Sequence, residues 1–400
     1  MKRRRFHLET ESARGGADVE KRNASAVPPI YQTSTFQVVD SAEQVRVADT
    51  DMYYTRYGNP THTVVEKTIA ELEGADAGLL FASGMNAITT SILALVKSGD
   101  HIVAQRDLYG GTTKFLSMWL PKLDIETTFV DTTNYDQYAR AIRPNTKLLY
   151  LETPTNPTLR VVDLLRAVAV AGARELITLV DSTFATPINT RPAELGVDIV
   201  LHSGTKYLGG HADLTCGVVA GRRDLIGKIR ESRTLLGGVM DPHAAFLLLR
   251  GMRTLAVRVQ RQNDSALRIA EFLARHSKVR SVNYPFLQSH PQHALAMEQM
   301  KGGGGMLSFE VEGSGEDAKK LSEALRLFTL ATSLGGVESL VSIPVITSHA
   351  MISPEHRQKM GVTEQLIRLS VGIENTDDLI ADLEQALAAV VPAPQHLSVG

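Results

Sequence analysis

Cysteine is nearly absent. The 400 residues hold one, Cys216, and a single thiol excludes an intramolecular disulfide framework. Its setting, Cys216-Gly217-Val218-Val219-Ala220, reads as a small buried side chain in an apolar run. Excess charge is missing too. With 42 Lys and Arg against 44 Asp and Glu, the formal net charge is −2. No strong field draws such a chain to nucleic acid or to a membrane surface. No apolar run approaches the roughly 20 residues of a membrane span. The opening Lys2-Arg3-Arg4-Arg5 is basic, but no apolar segment follows it. It reads as a solvated, flexible terminus and not as a signal peptide. No His, Cys and acidic cluster has metal-ligand spacing, so no metal site is expected. These absences together suit a globular protein of the reducing cytoplasm.

What is present is enough apolar material, 43% of residues, for sizeable cores. Residues 1–60 are polar and irregular, and Val27-Pro28-Pro29-Ile30 suggests an extended arm. Beyond them, apolar runs alternate with helix-period segments. The runs are "AGLLFA" (77–82), "HIVAQ" (101–105), "ETTFVD" (126–131), "KLLYLE" (147–152), "ITLVD" (177–181), "DIVLHS" (198–203) and "CGVVAG" (216–221). Met85–Lys97 and Val161–Ala173 are among the helices between them. This alternation predicts an α/β fold, a mainly parallel sheet covered on both faces. A long helical pattern from about His243 to His276 leads to "SVNYPF", "GMLSFEVEG" and helices near 315–327 and 376–391, a smaller α+β domain. The expected division is an arm (1–60), a large domain (61–255) and a small domain (256–400).

Ligands of open α/β sheets sit at the carboxyl ends of the strands, so the strand-end residues matter most. Ser83-Gly84-Met85 follows one strand and opens a helix. Ser83 can cap that helix, and its freed amides can seat an anion, although such junctions are common without any ligand. Asp181 ends another strand, where a carboxylate can bind metal, cap a helix or hold a cationic ring nitrogen. "HSGTKYLGGH" (202–211) follows a third, with the hydroxyls of Ser203 and Thr205 beside Lys206. A lysine drawn partly out of water there becomes a nucleophile. His202 and His211 flank this loop without ligand-spaced partners and read as structural. Anion seat, carboxylate and amine on three strands of one sheet match the needs of pyridoxal 5'-phosphate (PLP): phosphate, ring nitrogen and aldehyde. Tyr109, in "RDLYGGT", could stack on the ring. Glu152 and Asn156, in "LETPTNP", follow a further strand.

On these residues the chain resembles the Cys/Met-metabolism PLP enzymes, which include cystathionine γ-lyase, methionine γ-lyase, cystathionine γ-synthase and the O-acylhomoserine sulfhydrylases. The likeness runs from about Leu8 to Leu387. It is carried by "PPIYQTSTF" (28–36), "YTRYGNPT" (54–61), "FASGMNAI" (81–88), "DLYGGT" (107–112), "ETPTNPT" (152–158), "VDSTFATP" (180–187), "HSGTKYLGGH", "SLGGVESL" (333–340) and "RLSVGIE" (368–374). The resemblance implies PLP fold type I, the aspartate-aminotransferase type. It implies that Lys206 carries the cofactor, that Asp181 pairs with its ring nitrogen, and that Gly84, Met85, Ser203 and Thr205 hold its phosphate. Tyr109 would stack on the ring and assist proton transfer. Tyr54 and Arg56 would reach the phosphate from a neighbouring subunit, making the active site shared and the usual assembly a tetramer. Arg368, with Ser333 and Asn156, would take the α-carboxylate of an amino-acid substrate.

Within the family, enzymes that handle cystathionine commonly carry Glu before "SLGG", where this chain has Thr332. Cystathionine γ-lyases tend to have Glu where Tyr53 stands and often Arg where Lys114 stands. These departures favour a substrate with a less polar distal end. Gly111 points the other way, since methionine γ-lyases usually have Cys there. The leading expectation is γ-elimination on methionine or cystathionine/homocysteine, giving 2-oxobutanoate, ammonia and a thiol. The alternative is γ-replacement, as by cystathionine γ-synthase or an O-acylhomoserine sulfhydrylase.

Overall fold

The computed structural model describes residues 6–16, 25–48, 50–350 and 354–389. The basic stretch Lys2–Arg5 lies outside them. The chain divides into two compact units, Met1–Thr153 with Val162–Val257, and Pro154–Val161 with Arg258–Gly400.

In the first unit, α1 (Leu8–Ala13) and α2 (Ser41–Val47) precede α3 (Pro60–Glu73). The stretch read as an irregular arm thus holds two short helices, and the Ser12 hydroxyl ties α1 down by donating to the Met252 carbonyl at 2.6 Å. Helix α3 starts where it should on chemical grounds. Asn59 caps it by accepting from the Thr61 amide, Pro60 occupies its first turn, and Gly74 ends it in a left-handed conformation.

Seven strands follow: β1 (Ala77–Phe81), β2 (His101–Gln105), β3 (Glu126–Val130), β4 (Thr146–Glu152), β5 (Ile177–Asp181), β6 (Ile199–His202) and β7 (Gly217–Gly221). Each lies within a residue or so of its apolar run. They form one sheet of order β1-β7-β6-β5-β4-β2-β3. Strands β2 to β6 pair in parallel, and β7 runs antiparallel to β1 and β6. Side chains alternate between two buried faces. Leu79, Phe81, Ala104, Tyr150, Leu179 and Leu201 pack on one, and Val103, Leu149, Leu151, Val180 and Val200 on the other. Two helices follow β1 and β2 directly, α4 (Gly84–Leu95) and α5 (Gly110–Lys114). The long helical pattern after His243 is interrupted: it forms helices Pro242–Met252 and Leu255–Arg275, parted at Arg253-Thr254.

In the second unit, β8 (Val279–Asn283), β9 (Met306–Val311), β10 (Thr329–Leu330), β11 (Leu340–Ser342) and β12 (Leu366–Ser370) form a sheet of order β10-β11-β12-β9-β8. Its helices include Gly315–Ala324, which Ser314 and Asp317 start with a reciprocal capping box, and Thr376–Ala389. Among the described residues, no helix is long and apolar enough to cross a membrane.

The first unit buries an ion pair. Arg233 is fully enclosed and donates to Glu66 at 3.2 Å and to the Leu80 carbonyl at 2.9 Å, while Arg230 reaches the other Glu66 oxygen at 2.7 Å. Removing the carboxylate strands a buried guanidinium. Glu66→Ala is therefore expected to cost about 3–5 kcal/mol of unfolding free energy, measured by denaturant titration. A loss well under 1 kcal/mol would show that the pair contributes no more than an exposed one.

Three histidines are buried neutral. Burial lowers His62, His290 and His349 from 6.5 to about 4, and the charges of Arg368 and Arg357 add to the effect at His349. Folded, these rings decline protons that the unfolded chain accepts. Their contribution is complete above pH 6.5 and is lost as pH falls from 6.5 towards about 4. Unfolding free energy is expected to fall across that window, by up to ~1.4 kcal/mol per pH unit for each ring. Replacing any one of the three with Gln should flatten the slope of stability against pH measured between these limits.

Candidate active site

The carboxyl ends of β1, β5 and β6 carry the expected groups, and several are brought together. Ser83 caps α4 by accepting from the Asn86 amide at 3.1 Å. Gly84 shows how close the first turn of α4 lies to the lysine loop. A Cβ placed on it would stand 2.9 Å from both Cβ and Oγ of Ser203. Only glycine permits this approach, and it sets the Ser203 hydroxyl against the amide-rich start of a 12-residue helix. Lys206 follows in a tight turn, half-buried, its amide donating to the Ser203 carbonyl at 3.1 Å.

Asp181 is 6% exposed. Burial raises its pKa above the ordinary carboxylate range, against hydrogen bonds from Thr183 and the charge of His202. Both of those bonds, from the Thr183 amide at 3.0 Å and its hydroxyl at 2.5 Å, fall on one oxygen, Oδ1. The Thr183 hydroxyl in turn accepts from the Ser203 amide at 2.9 Å. Thr183 therefore couples the carboxylate to the lysine loop. Sequence reasoning passed it over, although its place two residues after Asp181 in "VDSTF" is where an Asx-type turn would bring it back.

Tyr109 stands at the start of α5, 43% exposed, with its amide donating to Glu152 Oε2 at 2.7 Å. Glu152 is the direct ladder partner of Asp181 across β4 and β5. Gln105, fully buried, holds this corner by bonding both the amide and the carbonyl of Glu152 and the carbonyl of Asp107. A Cβ on Gly111 would lie 2.6 Å from the Tyr109 ring and 2.9 Å from Met85 Sδ, so Tyr109, Met85 and Gly111 crowd together. A Cys at that position would displace the ring.

Other expected residues are differently engaged. Thr205 commits its hydroxyl to Cys216, donating to the carbonyl at 3.2 Å and accepting from the amide at 2.9 Å. The thiol of Cys216 is buried and inert, its pKa raised by burial. Tyr54 packs edge-on against Tyr57, and the Arg56 guanidinium lies over Tyr57 and donates to the Thr234 carbonyl at 3.1 Å. In the second unit, Arg368 on β12 is 6% exposed. It donates to Asn156 Oδ1 at 3.0 Å and to the Ser333 carbonyl at 3.1 Å. Ser333 adopts φ +85°, an unfavourable conformation for a residue other than glycine, which marks the loop as held under strain beside a charged group. His349, fully buried, feels the charge of Arg368 and was not anticipated from sequence. Among the described residues no cluster of His, Cys and acidic side chains could hold a metal ion.

These residues fit PLP. Asp181 keeps Oδ2 outside its Thr183 bonds, and a buried carboxylate raised by desolvation gains most from a cationic N–H donor. The Gly84–Ser203 approach leaves helix-start amides and a hydroxyl for a phosphate. The family model of the Cys/Met metabolism PLP-dependent enzymes matches residues 9–388. The chain belongs to this family. Its cofactor is pyridoxal 5'-phosphate, and its fold is type I. It is 44% identical over 370 residues to the L-methionine γ-lyase of Fusobacterium nucleatum subsp. nucleatum, covering 90% of this chain and 93% of that one. It is 42% identical to the cystathionine β-lyase MetC of Bacillus subtilis, covering 98% of this chain and 99% of that one. The crystal structure of cystathionine γ-lyase from Lactobacillus plantarum, complexed with L-serine, superposes with a TM-score of 0.91 at 40% identity, covering 96% of this chain and 99% of that one.

Thr183 offers a direct test. Thr183→Val removes the hydroxyl from Asp181 and costs about 1–3 kcal/mol, expected as roughly tenfold or more weaker PLP binding on reconstitution of the apoenzyme. Thr183→Ser should restore it. Equal affinity of the Val variant and the parent would remove Thr183 from the site.

Proposed function

We propose that this enzyme catalyses γ-elimination on a sulfur amino acid, methionine or cystathionine/homocysteine, releasing 2-oxobutanoate, ammonia and a thiol. What carries the reading is the grouping of Gly84, Ser203, Thr183 and Asp181 around the loop that bears Lys206, in a chain of this family. Thr332, in place of an acidic residue, supports a substrate whose distal end lacks an ammonium group.

PLP bound there supplies an electron sink for the negative charge that develops at the substrate α-carbon. The protein does the rest. Asp181 would hold a proton on the ring nitrogen. Lys206 would hold the cofactor and, freed when substrate binds, would take the α-proton; a β-proton follows it, and water releases 2-oxobutanoate and ammonia after the thiol has left. The amides at Gly84 and Met85, with the Ser203 hydroxyl, would hold the phosphate, and Thr205 would join them by turning its hydroxyl proton from the Cys216 carbonyl to the phosphate. Tyr109 would cover the ring, and its hydroxyl would deliver a proton to the departing sulfur. Arg368, supported by Asn156 and Ser333, fixes the α-carboxylate through charge-assisted bonds. Tyr54 and Arg56, whose present contacts lie away from Asp181, serve the phosphate of a second copy of the chain. The working assembly is then at least a dimer and, by the habit of the family, a tetramer. Residues 61–255 act as the PLP-binding domain, and the cytoplasm is the compartment that the lone, buried Cys216 suits.

A product survey tests this reading. Methionine, homocysteine and cystathionine should each be offered, and O-acylhomoserines with and without cysteine. 2-Oxobutanoate and a thiol are expected. Pyruvate from cystathionine would make the enzyme a β-lyase, and cystathionine from an O-acylhomoserine plus cysteine would make it a γ-replacement transferase. Tyr109→Phe should lower kcat roughly 10²–10⁴-fold with little change in PLP content. Arg368→Ala should act mainly on KM, by about tenfold or more. Unchanged kinetics in either variant would remove that residue's role.

A further inference from the structure

One buried ion pair in the first unit is used by nothing described so far. Glu73, the last residue of α3, and His202, the last residue of β6, are 0% and 1% exposed at their side chains, with His202 Nε2 2.6 Å from Glu73 Oε1. They are 129 residues apart in the chain. Each also keeps one buried polar atom, His202 Nδ1 and Glu73 Oε2, without a hydrogen-bond partner. Two desolvated groups with two unsatisfied atoms cost more than a well-packed apolar pair would. A helix could be pinned to a strand far more cheaply. The location of the pair accounts for its retention. His202 directly precedes Ser203, and its strand neighbour Leu201 is the ladder partner of Asp181. On the other side its ladder partner is Val218, which carries no charge. Strand alternation turns the imidazole to the face opposite Asp181, so it acts on that carboxylate through space and not by a hydrogen bond.

We infer that Glu73 and His202 form a charged positioning pair: the Glu73 carboxylate keeps the buried imidazole protonated, and the imidazolium keeps Asp181 ionised as the partner of the PLP ring nitrogen. The inference rests on the assignment of Asp181 and Lys206 to the cofactor. It agrees with the direction in which His202 acts on Asp181, the smallest of four influences on a carboxylate whose pKa burial raises. The charged groups in the relay are Glu73 from α3 and Asp181 from β5. Over the width of a strand pair, one unit charge in a poorly solvated site shifts a neighbour by about one pH unit or more.

The test uses holoenzyme and three variants, Glu73→Gln, His202→Gln and Glu73→Asp. The readout is the pH midpoint of the visible absorbance band of the lysine-bound cofactor. A protonated ring nitrogen holds that midpoint low. Glu73→Gln and His202→Gln should raise it by about one pH unit, and Glu73→Asp should return it towards the parent value. A purely structural pair predicts lower thermal stability of apoenzyme and holoenzyme alike with the midpoint unmoved, and that result would overturn the inference. Should the variants fail to fold, a neutron structure of the parent holoenzyme decides it. Deuterium on both ring nitrogens of His202 supports the pair, and a neutral imidazole refutes it. Absence of any visible band in the parent would instead indict the cofactor site itself.

Discussion

A carboxylate closed off from water at the end of β5 is the constraint on which the first unit turns. Asp181 is withdrawn from solvent, and desolvation disfavours its charge. An apolar residue would pack there at less cost. The surroundings answer the cost in part. Thr183 brings two donors to one oxygen, and His202 sets a favourable field. The remaining oxygen has the right character for a cationic ring nitrogen. The cofactor that brings that nitrogen also carries a phosphate and an aldehyde, for which we propose the α4 start and Lys206. Binding then satisfies an expensive arrangement that folding alone leaves incomplete.

The backbone around Asp181 is organised to the same end. Gly84 brings the α4 turn onto Ser203, and Gln105 ties Glu152 to the β2 end, so that Glu152 can hold the amide of Tyr109. Strands β2, β4, β5 and β6, paired in parallel, therefore deliver their terminal side chains to one edge of one sheet, the arrangement that the proposed cofactor site requires. In the second unit, Arg368 is held by Asn156 and by the carbonyl of a strained Ser333, so the guanidinium that we propose for the substrate carboxylate is oriented in advance.

Much of this was legible in the sequence because buried parallel strands read as continuous apolar runs. "HIVAQ" and "ITLVD" coincide with β2 and β5 residue for residue. The strand-end rule then pointed to Asp181 and Lys206 without knowledge of the fold. Local patterns also misled. One helical periodicity spans His243 to His276, yet the chain breaks at Arg253-Thr254, two residues after Gly251, the one glycine in that stretch. Residues 154–161 belong with the second unit although their neighbours on both sides lie in the first, an excursion that composition does not mark. The supporting residues were the hardest to see. His202 was visible as a lone histidine, but Glu73 lies 129 residues away on a helix whose apolar pattern gives no reason to single it out. Arg56 shows the same limit, because its local contacts with Tyr57 and Thr234 give no sign of the phosphate role that we propose for it.

The central claim is that the buried carboxylate of Asp181 keeps the pyridine nitrogen of bound PLP protonated. Solid-state 15N NMR of holoenzyme loaded with ring-labelled cofactor measures that proton directly. The account predicts a pyridinium signal in the parent enzyme and its loss in Asp181→Asn. A neutral pyridine nitrogen in the parent would contradict it.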